Sequence, residues 1–359
     1  MDDKLKDKPT IKLETDFSIS DETKELVKRA EKVYWNNFNG DAWFGRCIFL
    51  SWYCERGTCD FCFRSVQKHK IKHPKKARRS ISSVLAEAMM IRGFGWRIEF
   101  LTGGYGIAED DELVEIVKKT SEVLGEPIWL NLGEIGVKML NRFNPYTKGI
   151  ISSIETFEPK LHKKVCPDKP IKPYEDMIVE SKKLGFKQGI TIIIGLGEKK
   201  EDFSYIENFL KKYQIGRITL YALRPVKGTP YTSGPTTDEL CWWIAKTRIA
   251  FPKIEIIVGT ARYRIKEIKD IFLSGANAVT KLPATNIFNT KDGLEVERQV
   301  KLAKRNFLSS FHSKDVYNHA DWQGMLKTLP KEEQVIVMNN LKLYLDSMTS
   351  RFKTIDEEI

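Results

Sequence analysis

The sequence predicts an α/β fold, namely a closed (β/α)8 TIM-type barrel with short helical N- and C-terminal extensions. Between residues 46 and 310, short β-branched apolar runs alternate with amphipathic stretches of helical period, and eight such pairs can be counted. Runs such as Ile190–Ile194 are apolar throughout, which is typical of parallel strands covered by helices on both faces. A complete barrel needs ~250 residues, which this segment provides. A doubly wound open sheet is the alternative, because strand counting from one sequence leaves closure open.

The predicted elements follow one another without a composition break that would mark a linker. Strands are predicted at Arg46–Ser51, Arg97–Leu101, Pro127–Asn131, Gly149–Glu155, Gln188–Ile194, Arg217–Tyr221, Ile254–Val258 and Ala278–Leu282. Helices between them are predicted at Ile81–Arg92, Asp111–Leu124, Tyr174–Leu184, Lys200–Lys212, Thr237–Ala250 and Ile265–Ser274.

Three segments are therefore expected: an N-terminal helical extension (1–45), the barrel (46–310) and a C-terminal helical tail (311–359). The extension contains a helix at Glu22–Trp35, and the tail contains one at Glu332–Ser347. The apolar residues of the tail helix have helical spacing, which suits either a helix that flanks the barrel or a dimer contact. The oligomeric state stays open.

Composition excludes several classes of protein. With 42% hydrophobic and 30% charged residues among 359, the chain is not a disordered, fibrous or disulfide-scaffold protein. No apolar run approaches the ~20 residues that cross a bilayer, and the charged start at residues 2–8 has no apolar stretch after it. Six cysteines, three of them within nine positions, indicate a reduced compartment and a local cofactor site. We expect a cytoplasmic protein that has no membrane partner.

The net charge of +11 allows nucleic acid or an anionic small molecule as a partner. Much of the excess lies in the basic segment Lys68–Arg79, for which a solvated loop leading into a helix is the simpler interpretation. An RNA-binding patch would interleave aromatic residues, and this segment has none. Nucleic acid is therefore not the expected partner.

A cluster of three cysteines follows the first predicted strand, in Cys54-Glu-Arg-Gly-Thr-Cys59-Asp-Phe-Cys62. This position lies on the carboxyl-terminal face of a barrel, where active sites are built. Three thiolates can hold three irons of a cubane cluster and leave the fourth iron open for chemistry. A structural zinc site wants four ligands, for which His69 and His73 are the nearest additional candidates. An unligated trio is the third alternative.

The cysteine loop resembles the cluster loop of radical S-adenosylmethionine (SAM) enzymes. The resemblance implies a radical SAM barrel with Cys54, Cys59 and Cys62 on a [4Fe-4S] cluster, whose open iron binds SAM. In that family the reduced cluster cleaves SAM to methionine and a 5′-deoxyadenosyl radical. An electron donor such as ferredoxin or flavodoxin is then an expected partner.

Other segments match the family in chain order, and together they imply a SAM site. The residues implied to bind SAM are Gly103, Gly104 and Tyr105 at the methionine end, Glu155 at the ribose, and Phe61, Ile193 and Gly195 around the adenine. Two further segments, Leu223–Pro230 and Gly259–Arg262, are similar to the biotin synthase branch. For a small-molecule substrate the implied catalytic residues are Arg262, Tyr221 and Asn131, with Glu134 and Arg224 as further candidates.

The sequence also departs from the family pattern. Four residues separate Cys54 from Cys59 where three are usual, and Tyr105 stands in place of a glutamate. Met177 occupies the position of an arginine that binds the SAM carboxylate in maturase relatives, so that role is unassigned. The longer interval resembles the radical SAM proteins of [Fe]-hydrogenase cofactor biosynthesis. A radical enzyme acting on tRNA or protein, and a non-enzymatic iron–sulfur or zinc protein, are the alternatives.

Overall fold

The computed structural model describes residues 11, 13 and 15–356, with side chains up to Phe352. The charged start at residues 2–8 and the last three residues lie outside the described residues.

Eight parallel strands close into a barrel, as predicted, and the open-sheet alternative is wrong. Strand β1 (Asp41–Phe49) pairs with both β2 (Arg97–Thr102) and β8 (Ala278–Thr280), which closes the sheet. The strands between them are β3 (Ile128–Asn131), β4 (Thr147–Glu155), β5 (Lys187–Ile194), β6 (Arg217–Ala222) and β7 (Glu255–Gly259). A short β9 (Asn306–Phe307) pairs with the start of β1. Strand β1 begins at Asp41 and not at Arg46 because its first residues pair with β8 and β9.

The helices surround this barrel. They are α1 (Asp21–Trp35), α2 (Phe63–Gln67), α3 (Ile81–Gly93), α4 (Asp110–Leu124), α5 (Val137–Phe143), α6 (Pro159–Val165), α7 (Lys172–Lys183), α8 (Phe203–Tyr213), α9 (Thr237–Ala250), α10 (Ile268–Leu273), α11 (Ala284–Ile287), α12 (Lys291–Leu302) and α13 (Lys331–Asp356). Side-chain oxygens of Ser20, Ser80 and Thr236 accept backbone N–H groups in the first turns of α1, α3 and α9, which fixes where these helices begin. The sequence prediction missed α2, α5, α6, α11 and α12.

The terminal helices flank the barrel. Helix α1 packs on α9, and α13 packs on α3, which is therefore buried along most of its length. Leu341 and Leu345 of α13 are buried, whereas Val335, which the helical spacing places on the same face, is 61% exposed. The division of the chain at residues 45 and 310 stays a prediction. Among the described residues, no helix is long and apolar enough to cross a membrane.

The amino-terminal half of the barrel is filled by large side chains. The Arg217 guanidinium lies 4.0 Å from the ring centroid of Trp129 and 5.8 Å from that of Trp43, and it pairs with Glu255. These side chains close one end of the barrel. The open space lies at the other end, where the strands terminate.

Candidate active site

A cavity of about 770 Å³ opens at the carboxyl-terminal ends of the strands. It is lined by residues that follow or end β1 through β8. Those predicted from the sequence are Cys54, Cys59, Phe61, Cys62, Gly103, Gly104, Tyr105, Asn131, Glu155, Ile193, Tyr221 and Arg224. The structure therefore brings most of the predicted site residues to one cavity.

The three cysteines of the loop all line the cavity as free thiols. Cys54 Sγ accepts a hydrogen bond from the backbone N–H of Tyr105 at 3.5 Å. A hydrogen bond from Cys166 lowers the pKa of Cys59, whereas burial raises the pKa of Cys62. Soft thiolate donors select iron–sulfur clusters or zinc. Within the described chain, no three Cys, His, Asp or Glu side chains surround one point in the manner of a single-ion site.

The loop is held in place by backbone contacts on both sides. The Asp60 N–H donates to the Val165 carbonyl at 3.0 Å, and the Glu55 N–H donates to the Tyr105 carbonyl at 2.9 Å. Lys68 Nζ donates to the carbonyl of Arg56 at 2.8 Å. These bonds order the loop around three thiols, which is the donor set that a cubane with one open iron requires.

Gly104 packs directly against the cysteine loop. A Cβ at this position would lie 2.3 Å from the Tyr53 carbonyl oxygen and 2.6 Å from the Cα of Cys54. Both obstacles are backbone atoms, which no rotamer change can move. Glycine is therefore required here by close approach of two backbone segments.

The longer interval between Cys54 and Cys59 contains Arg56, whose side chain makes polar contacts with residues outside the loop. Arg56 pairs with Glu134, and its guanidinium lies 3.9 Å from the ring centroid of Tyr105. The Tyr105 hydroxyl donates to Glu134 and also contacts the Tyr174 hydroxyl. Burial opposes the charge of Glu134, but the hydrogen bonds from Tyr105 and Arg56 lower its pKa. Glu134, a predicted substrate residue, thus anchors the cysteine loop and does not line the cavity.

Glu155 ends β4 with a backbone φ of +70°, a conformation that a non-glycine residue rarely adopts. Its carboxylate pairs with Lys169 Nζ at 2.6 Å, and both side chains are nearly buried. Burial opposes the charge of Lys169, but Glu155 and Cys59 raise its pKa. Strain of this kind is typical of functional sites.

Phe61 and Ile193 belong to one apolar cluster on the cavity wall, and their role at the adenine stays a prediction. Gly195 does not line the cavity, and its N–H donates to the Glu198 carboxylate at 2.6 Å. Met177 is buried, and its sulfur accepts the backbone N–H of Ile135 at 3.2 Å. Met177 is thus part of the packing and not of the cavity lining.

Arg262 does not face the cavity, contrary to the sequence prediction. It pairs with Asp292 of α12, and its side chain is 59% exposed. Strand β7 ends at Gly259, so Arg262 already lies in the 3-10 helix Arg262–Glu267. The arginine that this segment buries is Arg264, which pairs with Glu267.

Two cavity residues that sequence reasoning missed are Lys169 and Lys281. Lys169 lies outside every motif, and nothing in its spacing distinguishes it. Lys281 could have been found from the sequence, because it is a charged residue near the end of the predicted apolar strand Ala278–Leu282. The ends of barrel strands are where active-site residues lie.

Comparison with known proteins agrees with this geometry. Residues 50–210 match the model of the radical SAM superfamily. The chain belongs to the radical SAM superfamily. It is a SAM-dependent enzyme that uses a [4Fe-4S] cluster. Residues 220–307 match the Biotin and Thiamin Synthesis associated domain, as the similarity to the biotin synthase branch implied.

Relatives of this radical SAM enzyme cover most of its length. An uncharacterized protein of Methanocaldococcus jannaschii is 37% identical over 90% of both chains. The biotin synthase of Clostridium tetani is 26% identical over 79% of this chain and 88% of its own.

Solved structures with the same fold include methylornithine synthase and an [FeFe]-hydrogenase maturase. Methylornithine synthase has a TM-score of 0.67 and 19% identity, covering 86% of this chain and 94% of its own. The [FeFe]-hydrogenase maturase HydG from Carboxydothermus hydrogenoformans has a TM-score of 0.64 and 14% identity, covering 95% and 87%.

Proposed function

We propose that Cys54, Cys59 and Cys62 hold the cluster and that the enzyme directs radical chemistry at a small molecule inside its barrel. When bound, cluster and SAM supply a 5′-deoxyadenosyl radical through one-electron cleavage of a sulfur–carbon bond. This proposal rests on the observation that the three thiols, Gly104 and Glu155 all line the same cavity. A closed barrel keeps such a reactive group away from water.

The lining residues divide the cavity between SAM and substrate. Backbone groups of Gly103 to Tyr105 would hold the methionine end, because Gly104 brings that backbone against the cysteine loop. Glu155 would accept the ribose hydroxyls, and Phe61 with Ile193 would face the adenine. For the SAM carboxylate we propose Lys169 in place of the buried Met177, since Lys169 is a cation on the cavity wall.

The biosynthetic role that we propose is construction of the pyridinol part of the [Fe]-hydrogenase cofactor, the role of the radical SAM protein HmdB (HcgA). Support comes from the lengthened interval between Cys54 and Cys59 on a biotin synthase-like barrel. Such proteins come from methanogens, as does the 37% identical relative from Methanocaldococcus jannaschii. Deleting the gene in an organism that makes [Fe]-hydrogenase should leave that hydrogenase without its pyridinol cofactor. A normal cofactor content in the deletion strain would contradict this role.

We further propose that an acidic electron-transfer protein such as a ferredoxin or flavodoxin docks on the basic segment Lys68–Arg79. This segment follows α2, which begins directly after Cys62. Arg78 and Arg79 pair with carboxylates of the fold, whereas four exposed lysines have no ion-pair partner among the described residues. These lysines are Lys70, Lys72, Lys75 and Lys76. Unpaired charge of one sign attracts and orients a partner of opposite charge.

The radical activity is tested by 5′-deoxyadenosine formation from SAM and dithionite in anaerobically reconstituted protein. Cys59→Ser should abolish it, because three thiolates are needed to hold the cluster. Cys241→Ala is the matched control, since Cys241 is buried in α9, away from the cavity. Equal turnover by parent and Cys59→Ser would remove Cys59 from the cluster. Failure of the parent with full iron and sulfide content, at saturating SAM and across substrate candidates, would contradict the proposal.

A further inference from the structure

We propose that the barrel cavity binds a small substrate carrying a carboxylate and that the ammonium of Lys281 is its anchoring cation. This inference rests on the proposed function above and names the substrate class that the site would take. It is carried by the charge balance of the cavity, by the surroundings of Lys281 and by a second donor at Asn131.

The charged residues that line the cavity are mostly cations. One carboxylate, Glu155, faces six basic side chains. The six are Arg56, Arg64, Lys169, Arg224, Lys227 and Lys281. Glu134 neutralises Arg56 and Glu155 neutralises Lys169, while the other four have no carboxylate within ion-pair distance in the described part of the chain. Arg64 faces Cys62 and Cys54, which would be thiolates on the cluster, so the cations that an anionic ligand would balance are Arg224, Lys227 and Lys281.

Lys281 lies at the end of β8, among aromatic rings. Its ammonium is 4.8 Å from the ring centroid of Phe49, 4.9 Å from that of Tyr221 and 5.6 Å from that of Phe100. These ring faces attract a cation but do not neutralise it. Its one hydrogen bond runs to Cys47 Sγ at 3.1 Å, so two of its three N–H donors are left for a ligand.

No carboxylate of the described residues lies within ion-pair distance of Lys281. Glu99 is fully buried behind the wall, where the Tyr221 hydroxyl, the Thr280 hydroxyl and the Cys47 thiol all donate to its carboxylate. Burial, reinforced by Glu99, raises the pKa of Cys47, so the thiol next to Lys281 stays protonated. The pKa of Tyr221 is raised for the same reasons. The groups in direct contact with the ammonium are therefore neutral, and the Glu99 carboxylate reaches it only through the Cys47 thiol.

The backbone of Lys281 also indicates a functional position. Its φ is +68°, in the left-handed region that favours glycine. A non-glycine residue there is strained, and Lys281 shares this conformation with Glu155, the other charged residue at a strand end that lines the cavity. Gly259 of the adjacent strand β7 makes room for the Tyr221 ring, which a Cβ there would meet at 2.1 Å, and this ring is one of those that surround the Lys281 ammonium.

A second donor faces the same cavity from β3. The Thr191 hydroxyl donates to Ser153 Oγ at 3.2 Å, and Ser153 Oγ donates to Asn131 Oδ1 at 2.9 Å. This chain occupies the amide oxygen of Asn131 and leaves its NH2 group for an acceptor on the ligand. The Asn131 amide thus offers a second polar contact to the ligand, on the β3 side of the cavity.

The test measures equilibrium binding of matched acid and amide pairs to the anaerobic, SAM-loaded holoenzyme. The probes are acetate with acetamide, succinate with succinamide, and pyridine-2-carboxylate with its carboxamide. The parent should prefer the acid in at least one pair, and Lys281→Met should weaken that acid about tenfold or more while leaving its amide unchanged. Lys281→Arg should recover most of the affinity. Lys304→Met is the matched control, because Lys304 also has a positive φ but is exposed and lies outside the cavity.

The opposite results would overturn the inference. It fails if the parent binds no acid in preference to its amide, or if Lys281→Met binds the preferred acid as tightly as the parent does. It also fails if inorganic phosphate binds more tightly than every acid and depends equally on Lys281, since that ligand would then be a phosphate. Because binding is measured without turnover, loss of 5′-deoxyadenosine formation in the parent would instead count against the proposed radical activity.

Discussion

Substitution of Gly104 by alanine should displace the cysteine loop and reduce cluster content. The added methyl would lie 2.3 Å from the Tyr53 carbonyl oxygen, whereas ordinary contact begins at 3.4 Å, so the two backbones must separate by about 1 Å. Overpacking of this kind costs about 1–3 kcal/mol. Since Cys54 belongs to the displaced backbone, the strain falls on the geometry of the three thiols.

The assay is iron and sulfide content per chain after anaerobic reconstitution, together with the electron paramagnetic resonance signal of the reduced cluster. We expect Gly104→Ala to hold a clearly reduced amount of cluster while its thermal unfolding shifts by only a few degrees. Gly136→Ala is the matched control, because a Cβ at Gly136 meets nothing within 4 Å. Full cluster content and an unchanged signal in Gly104→Ala would refute the argument that this contact positions the cysteine loop.

Three further predictions concern charge. Glu155→Gln should leave the nearly buried ammonium of Lys169 unpaired, costing about 3 kcal/mol in the free energy of unfolding and weakening SAM binding, as denaturant titration and equilibrium dialysis would measure. Lys72→Glu combined with Lys75→Glu should slow cluster reduction by an acidic ferredoxin at low salt but not by dithionite, in stopped-flow absorbance. Burial lowers the pKa of His162, so its imidazole takes up a proton on unfolding at pH values between the folded-state pKa and 6.5. The free energy of unfolding should therefore fall as the pH drops through this window, and it should fall less in His162→Gln.

Each of these predictions has a control. Lys211→Met breaks the exposed pair with Glu207 and should change stability by less than about 1 kcal/mol. Reversing charge at Lys342, on the exposed face of α13, should leave reduction by ferredoxin unchanged. Equal loss of stability in Glu155→Gln and Lys211→Met would contradict the importance of the buried ion pair. Equal slowing of cluster reduction by ferredoxin and by dithionite in the Lys72 and Lys75 variant would contradict the docking site. A pH profile of unfolding that is identical with and without His162 would contradict the linkage argument.

The barrel could be predicted because its signal is repetitive. Each buried strand is a continuous apolar run, and seven of the eight were placed within two residues of their observed ends. Four of the five missed helices have seven residues or fewer and are too short to show a helical period, whereas α12 has twelve. Helix α6 has seven residues, and its clearest sequence signal is the Glu158 cap followed by Pro159.

The candidate site was predictable only where a motif fixes both residue type and position. The cysteines and Gly104 reach the cavity because loop spacing and strand order place them there. Arg262 did not, because the direction of its side chain depends on where β7 stops, and that is settled by pairing with neighbouring strands. Lys169 is placed by its ion pair across 14 residues, a contact that no spacing rule encodes.

Glu155 and Lys281 both occupy backbone conformations that glycine adopts freely, at the ends of β4 and β8. Holding a larger residue in this region costs on the order of 1–3 kcal/mol at each position. A library of variants selected for thermal stability alone should therefore accumulate glycine or asparagine at Lys281, whereas at Glu155 the loss of the ion pair with Lys169 offsets the gain. Such a selection would mark Lys281 as a functional position of the barrel mouth without any knowledge of the substrate, since what stabilises the backbone there removes a charge from the cavity.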